Sequence, residues 1–213
     1  MYLISVEGGD GSGKGEAVRL LSEIAATFPF AKINVTHEPR RHSELGKIAL
    51  AAVKKESHSP LREAGLFAAD RVDHSHTWIK PKLLRGELVI SDRNVHSSLV
   101  YQGIVGGLGV ECVAQMNSAA MRPDLVIWID CNPKKAMNRI ETGTLRISGS
   151  GKQEYFETTE LQTKIRKGFN DIFTGDITVP QPFNKCCIVG PILNEGGLDE
   201  LERQLKEALR EFM

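Results

Sequence analysis

The stretch Glu7-Gly8-Gly9-Asp10-Gly11-Ser12-Gly13-Lys14 constrains the fold of this chain more than any other. It follows an apolar run, Tyr2-Leu3-Ile4-Ser5-Val6, and leads into a helical pattern through Ala17, Val18, Leu20, Leu21 and Ile24. Strand, glycine-rich turn and helix, in that order, make a phosphate-binding loop. The glycines let successive backbone N–H groups converge into an anion nest. The helix behind them adds its unpaired N–H groups and the positive end of its dipole. Lys14 would set a point charge on the β- and γ-phosphates of a nucleotide. A turn that merely joined a strand to a helix would need neither the lysine nor so many glycines. The spacing Gly8-x4-Gly13-Lys14 departs from the phosphate-loop pattern at one place. Where a Ser or Thr hydroxyl normally holds Mg²⁺, Gly15 stands, followed by Glu16.

The rest of the chain repeats the alternation. Short apolar runs at Tyr2–Val6, Ala31–Thr36, Leu88–Ser91, Leu125–Asp130 and Cys186–Val189 read as parallel strands buried on both faces. Helical patterns fill residues 14–26, 43–54, 60–80, 95–103, 110–120, 133–141, 154–174 and 197–212. The expectation is an α/β domain spanning 1–213, a five-stranded parallel sheet with helices on both faces and a short lid at about 142–153. The 213 residues and the 41% apolar content suit one such domain. Lys+Arg and Asp+Glu balance at 27 each, which argues against a protein that coats nucleic acid. No apolar run approaches membrane-spanning length, and no signal peptide is visible. Four cysteines without a Cys-x-x-Cys pair read as reduced thiols of a cytoplasmic protein.

In such sheets ligands bind beyond the carboxyl ends of the strands. Ser91-Asp92-Arg93 ends the third strand: the acid suits Mg²⁺, directly or through water, and the arginine suits a second phosphate. Glu38-Pro39-Arg40-Arg41 follows the second strand and is either a solvated face or an arm toward a phosphate acceptor. Phe67 and Arg71 share one helix face, as a base-stacking ring with an arginine for a base carbonyl would. On periodicity alone, a ring at this position is more often core.

Taken together these motifs resemble the thymidylate kinases, of the P-loop nucleoside-monophosphate kinase group. The matches run in order from Val6–Lys14 through Glu38-Pro39, Leu66-Phe67-Ala68-Ala69-Asp70-Arg71, and Asp92-Arg93 with Ser97–Gly103. They continue through Arg122-Pro123-Asp124-Leu125 and Ile129-Asp130 to Glu154-Tyr155-Phe156-Glu157. The resemblance implies transfer of the γ-phosphoryl group of ATP to dTMP, with Mg²⁺, in a homodimer; whether dUMP is also accepted stays open. It assigns ATP binding to Gly8, Gly9, Asp10, Gly11, Ser12, Gly13, Lys14, Gly15 and Glu16. It puts Asp10 near the sugar 3′-hydroxyl, and Arg41 and Arg93 on the acceptor phosphate. Phe67 would stack on thymine, with Arg71 on the base carbonyl and Ser97 and Gln102 on the base edge. Tyr101 and Phe156 would crowd out a ribose 2′-hydroxyl. Catalysis would fall to Lys14, Asp92, Arg93 and the lid residue Arg146, since Gly11 stands where some relatives carry a loop arginine. Magnesium would be held by Asp92, with Glu16 as a second candidate. Three departures stand out: Gly15-Glu16 for Ser-Thr, His37-Glu38-Pro39-Arg40-Arg41-His42 for Arg-Glu-Pro-Gly-Gly-Thr, and Asn94 for an aromatic. They keep open a kinase for another monophosphate, and a nucleotide-binding regulator without transfer activity.

Overall fold

The computed structural model describes residues 2–53, 59–142 and 158–213. Five strands form one parallel sheet: β1 (Leu3–Glu7), β2 (Ile33–His37), β3 (Leu88–Asp92), β4 (Leu125–Asp130) and β5 (Cys187–Leu193), in the order β2-β3-β1-β4-β5. The three inner strands are buried almost throughout, as continuous apolar runs require. The expectation of burial on both faces does not hold at the edges. Val35 of β2 and Ile188 and Leu193 of β5 are exposed, because an edge strand lacks a neighbour to shade its outer side. β5 also runs further than Cys186–Val189, and a register irregularity between Ile127 and Ile129 marks its pairing with β4.

Helices cover both faces. α1 (Lys14–Ala25) and α9 (Leu198–Phe212) pack on one side, where Ala17, Leu21, Leu205 and Leu209 meet Ile4, Ile90 and Ile127. On the other side α8 (Thr159–Thr174) brings Ile165, Phe169 and Ile172 against Trp128 and the segment after β3. α2 (Glu44–Val53) lies against α3 (Pro60–His74), which runs on through wide turns at Ser75–Ile79 into α4 (Lys80–Leu84). After β3, α5 (Val95–Ser98) likewise widens into π-helical turns over Leu99–Val105. α6 (Val110–Met116) stops short of the expected residue 120, and α7 (Pro133–Glu141) follows β4. A broad open groove along α3 is lined by Gly65, Ala68, Ala69, Val72, Asp73 and Met116. The expected lid lies outside the described residues from 143 on, and with it Arg146; so does Phe156.

Candidate active site

The carboxyl ends of β1 and β3 bring Gly8, Asp10, Lys14, Asp92, Arg93, Ser97 and Tyr101 together. The loop after β1 is closely built. Gly8, Gly11 and Gly13 all have positive φ. At Gly11 the reason is also steric: a Cβ would stand 2.4 Å from the Ala136 carbonyl oxygen of α7. Only glycine lets α7 lie this close to the loop. Asn194, just past β5, donates from Nδ2 to the Ser12 carbonyl at 2.8 Å, and Arg139 of α7 donates to the Asn194 carbonyl at 3.0 Å. The loop is thus braced from behind by β5 and α7.

Lys14 is buried at the start of α1 and donates from Nζ to the Gly9 carbonyl at 2.7 Å. Burial, with the nearby Arg93 charge, pulls its ammonium down to about 8, against Asp10, Asp92 and Glu7. A polyanion bound in the loop would return it to full charge. Gly15 has open space around the position of a Cβ. Glu16 is turned to solvent, where its Oε1 accepts both Nε and Nη2 of Arg19. That pairing draws Glu16 to its own helix face and leaves Asp92 the stronger magnesium candidate.

Arg93 is the hub of the site. Its φ is 68°, a conformation rare for a side chain larger than glycine. The backbone N–H donates to the Val6 carbonyl at 3.0 Å. From this turn the guanidinium reaches back over the loop. Nη1 donates to the Gly8 carbonyl and to Ser97 Oγ, both at 3.0 Å, and Nη2 donates to Asp10 Oδ1 at 2.5 Å and to Tyr101 OH at 3.2 Å. The guanidinium carbon also sits 4.9 Å from the Tyr101 ring centroid. Tyr101 donates to Asp10 Oδ2 at 3.0 Å, and burial pushes its hydroxyl far above the ordinary value, so it stays a donor. Burial acts to raise the Asp10 carboxyl, but the charges of Arg93 and Lys14 outweigh it and hold Asp10 below its usual value.

The residues after β3 form two adjacent stripes, each with helical i, i+4 spacing. Ser97 and Tyr101 face Arg93. Ser98 and Gln102 face α3, where Ser98 Oγ accepts from Arg71 Nη2 at 3.0 Å and Gln102 Nε2 donates to Glu63 Oε1 at 2.7 Å. Ser97 therefore stands with Arg93 and Glu7, while Gln102 stands with α3. Asp92 Oδ1 is buried without a partner among the described residues.

Arg71 is 2% exposed. Its Nε donates to Glu38 Oε2 at 2.6 Å and Nη1 to Asn117 Oδ1 at 2.6 Å, so with Ser98 the whole fork is engaged by protein groups. His74 joins Glu38 at 3.0 Å and Thr36 at 3.0 Å. Phe67, half-buried on the same helix, lies one turn from Arg71. The two arginines after β2 separate cleanly. Arg40 is tied to Asp70 and Asp73, with 2.5 Å from Nη2 to Asp73 Oδ2, whereas Arg41 is exposed and has no ion pair among the described residues. Among the described residues, Arg41 alone of the two has no acid paired with it.

Sequence reasoning gave no role to Glu7, Glu38, Asn117 or the Asp130–Arg166 pair. Asp130, at the end of β4, accepts Arg166 Nε at 2.8 Å and Nη2 at 2.6 Å. Together they line a small cavity shared with Gly9, Asp10 and Ser12. An acid closing an otherwise apolar strand, as at Glu7 and Asp130, was the available signal. Asn117 gave none.

The family model described as thymidylate kinase matches residues 6–180. A probable thymidylate kinase of Thermococcus onnurineus is 38% identical over 180 residues, covering 79% of this chain and 82% of that protein. A thymidylate kinase of Lactobacillus delbrueckii subsp. bulgaricus is 39% identical over 177 residues, covering 80% and 82%. Among solved structures, the thymidylate kinase of Ehrlichia chaffeensis superposes with a TM-score of 0.70 over 100% of this chain and 98% of that one, at 24% identity. That last likeness is one of fold.

Proposed function

The chain belongs to the thymidylate kinase family, and on that premise we propose that it transfers the γ-phosphoryl group of ATP to dTMP, giving dTDP and ADP. The observation that carries this reading is Arg93. It joins the nucleotide loop, through Gly8 and Asp10, to the helix that would hold the acceptor, through Ser97 and Tyr101. A residue placed between two phosphate sites is what in-line transfer needs.

In this mechanism residues 8–14 hold the ATP phosphates, and Lys14 leaves the Gly9 carbonyl for them. Arg41 and Arg93 aim the dTMP phosphate oxygen at the γ-phosphorus. The acceptor is already an anion, so no general base is needed. Asp10 and Tyr101 flank the sugar, with Tyr101 and Phe156 excluding a 2′-hydroxyl. Phe67 and Gln102 line the base. The closed fork of Arg71 makes it the floor of that pocket, opening to a base carbonyl only if Asn117 or Ser98 yields. Arg146 in the lid supplies further positive charge. Mg²⁺ fits the unpartnered Asp92 Oδ1. The described residues hold no cluster of three acids, histidines or cysteines for a metal, so water and phosphate oxygens would complete its shell. Bound there, it would neutralise charge on the transferring group.

The proposal extends to assembly and place. The groove along α3, with small residues at Gly65, Ala68 and Ala69, suits close pairing with a second copy, so a homodimer is expected in sedimentation. Among the described residues no helix is long and apolar enough to cross a membrane, and the four cysteines are free. Both agree with work in the cytoplasm.

The deciding experiment is ADP release from ATP and Mg²⁺ with dTMP, dUMP, dCMP or ribo-TMP, against no acceptor. Turnover dependent on dTMP is expected, and the dUMP ratio reads the 5-methyl group. ATP binding without any turnover would replace the kinase by a nucleotide-binding regulator.

A further inference from the structure

Glu7 ends the central strand with no exposed surface, so it cannot touch a nucleotide. Its carboxylate is nonetheless fully used. Oε1 accepts the backbone N–H of Asn94 at 2.7 Å, and Oε2 takes the Ser97 hydroxyl at 2.5 Å. Ser97 Oγ in turn accepts from Arg93 Nη1 at 3.0 Å. Arg93 can only donate, so Ser97 must offer it a lone pair. The carboxylate secures that by taking the Ser97 hydrogen. Asn94 immediately follows Arg93, whose left-handed turn the second bond locks in place. One buried acid thus fixes both the backbone and the side chain of the arginine.

We infer that Glu7 is a positioning residue for the acceptor phosphate, acting through Ser97 to hold the Arg93 guanidinium between the two phosphate sites. This deepens the dTMP kinase reading and rests on it. Burial pushes the Glu7 carboxyl up to about 7, against the bonds from Ser97 and Asn94 and the charges of Arg93 and Arg71. The bonds to Ser97 and Asn94 therefore offset part of a desolvation cost that a purely space-filling residue would not incur.

Glu7→Gln keeps shape and an acceptor for Asn94 but turns an NH₂ donor toward Ser97. The hydroxyl hydrogen is then pushed toward Arg93, where donor meets donor. Ser97→Ala deletes the relay and leaves the Asn94 bond. Calorimetry with dTMP and with a non-hydrolysable ATP analogue gives the answer. Each variant should weaken dTMP roughly tenfold while changing the ATP analogue by less than about twofold, and the double variant should be no worse than Glu7→Gln alone, as members of one network are non-additive. Equal weakening of both ligands, or fully additive losses, overturns the inference while leaving the kinase intact. If Glu7→Gln does not fold, Ser97→Ala decides, and unchanged dTMP affinity in it overturns the inference. A wild-type protein that binds no dTMP overturns the functional reading and this inference with it.

Discussion

Arg93 shows what a single residue contributes here. It is the only described non-glycine residue with positive φ, and four different groups accept from its two Nη atoms. A lysine would keep the charge but lose the planar fork. Arg93→Lys should therefore lower kcat about a hundredfold, by analogy with the loss of one fixed oxyanion donor in acyl transfer, and raise KM for dTMP more than KM for ATP. Steady-state kinetics with each substrate varied in turn checks this. At this scale the sequence was legible as to place: motif and position put Lys14 at the start of α1 and Asp92 and Arg93 at the end of β3, where the structure has them. It was opaque where a role depends on who stands opposite. Nothing in Arg40-Arg41 says that Asp70 and Asp73 claim the first and leave the second. Nor does the spacing of Phe67 and Arg71 disclose Glu38, Asn117 and Ser98, which come from three other segments.

At the scale of elements, α1 carries the chain's clearest departure from its family. Gly15 sits in the first turn, and a methyl group added there would meet no atom within 4 Å. Gly15→Ser should consequently fold normally and gain about half a kcal/mol, since glycine is a poor residue inside a helix. It would also place a hydroxyl where a magnesium ligand is absent. ADP release should then saturate at lower Mg²⁺; an unchanged Mg²⁺ midpoint would show that the ion does not use this position. The elements themselves were largely readable, because the inner strands are mostly apolar runs closed by an acid and the long helices keep a 3.6-residue period. The π-helical turns at Leu99–Val105 were not readable, since they keep the apolar pattern of a helix.

For the whole molecule, two buried groups set opposing dependences on pH. His96 has no exposure and no side-chain hydrogen-bond partner among the described residues, and burial brings its ring down to about 4 from 6.5. Its depressed value means that stability is complete above 6.5 and is lost as pH falls toward 4. Glu7 runs the other way: raised from 4.5 to about 7, it favours the fold fully below 4.5 and loses that contribution as pH rises through 7. Between 4.5 and 6.5 the two slopes cancel. Removing one exposes the other. His96→Leu should gain about 2 kcal/mol relative to wild type on going from pH 7.5 to pH 5, read from urea denaturation at the two values. A gain independent of pH would mean that the ring is protonated in the fold. Neither group was conspicuous in the sequence, because burial of a titratable side chain is a property of the packed molecule and not of its neighbours in the chain.

The order β2-β3-β1-β4-β5 also bears on how the molecule is made. β1 is the first strand in the chain, yet its two partners, β3 and β4, end at Asp92 and Asp130. During synthesis β1 therefore leaves the ribosome before either neighbour and waits, unpaired on both sides, until β3 and then β4 follow. Parallel pairing across such separations is slow. The nascent stretch Leu3–Val6, apolar but for Ser5, has both edges open throughout that wait, so this is the interval in which a chaperone has most to protect.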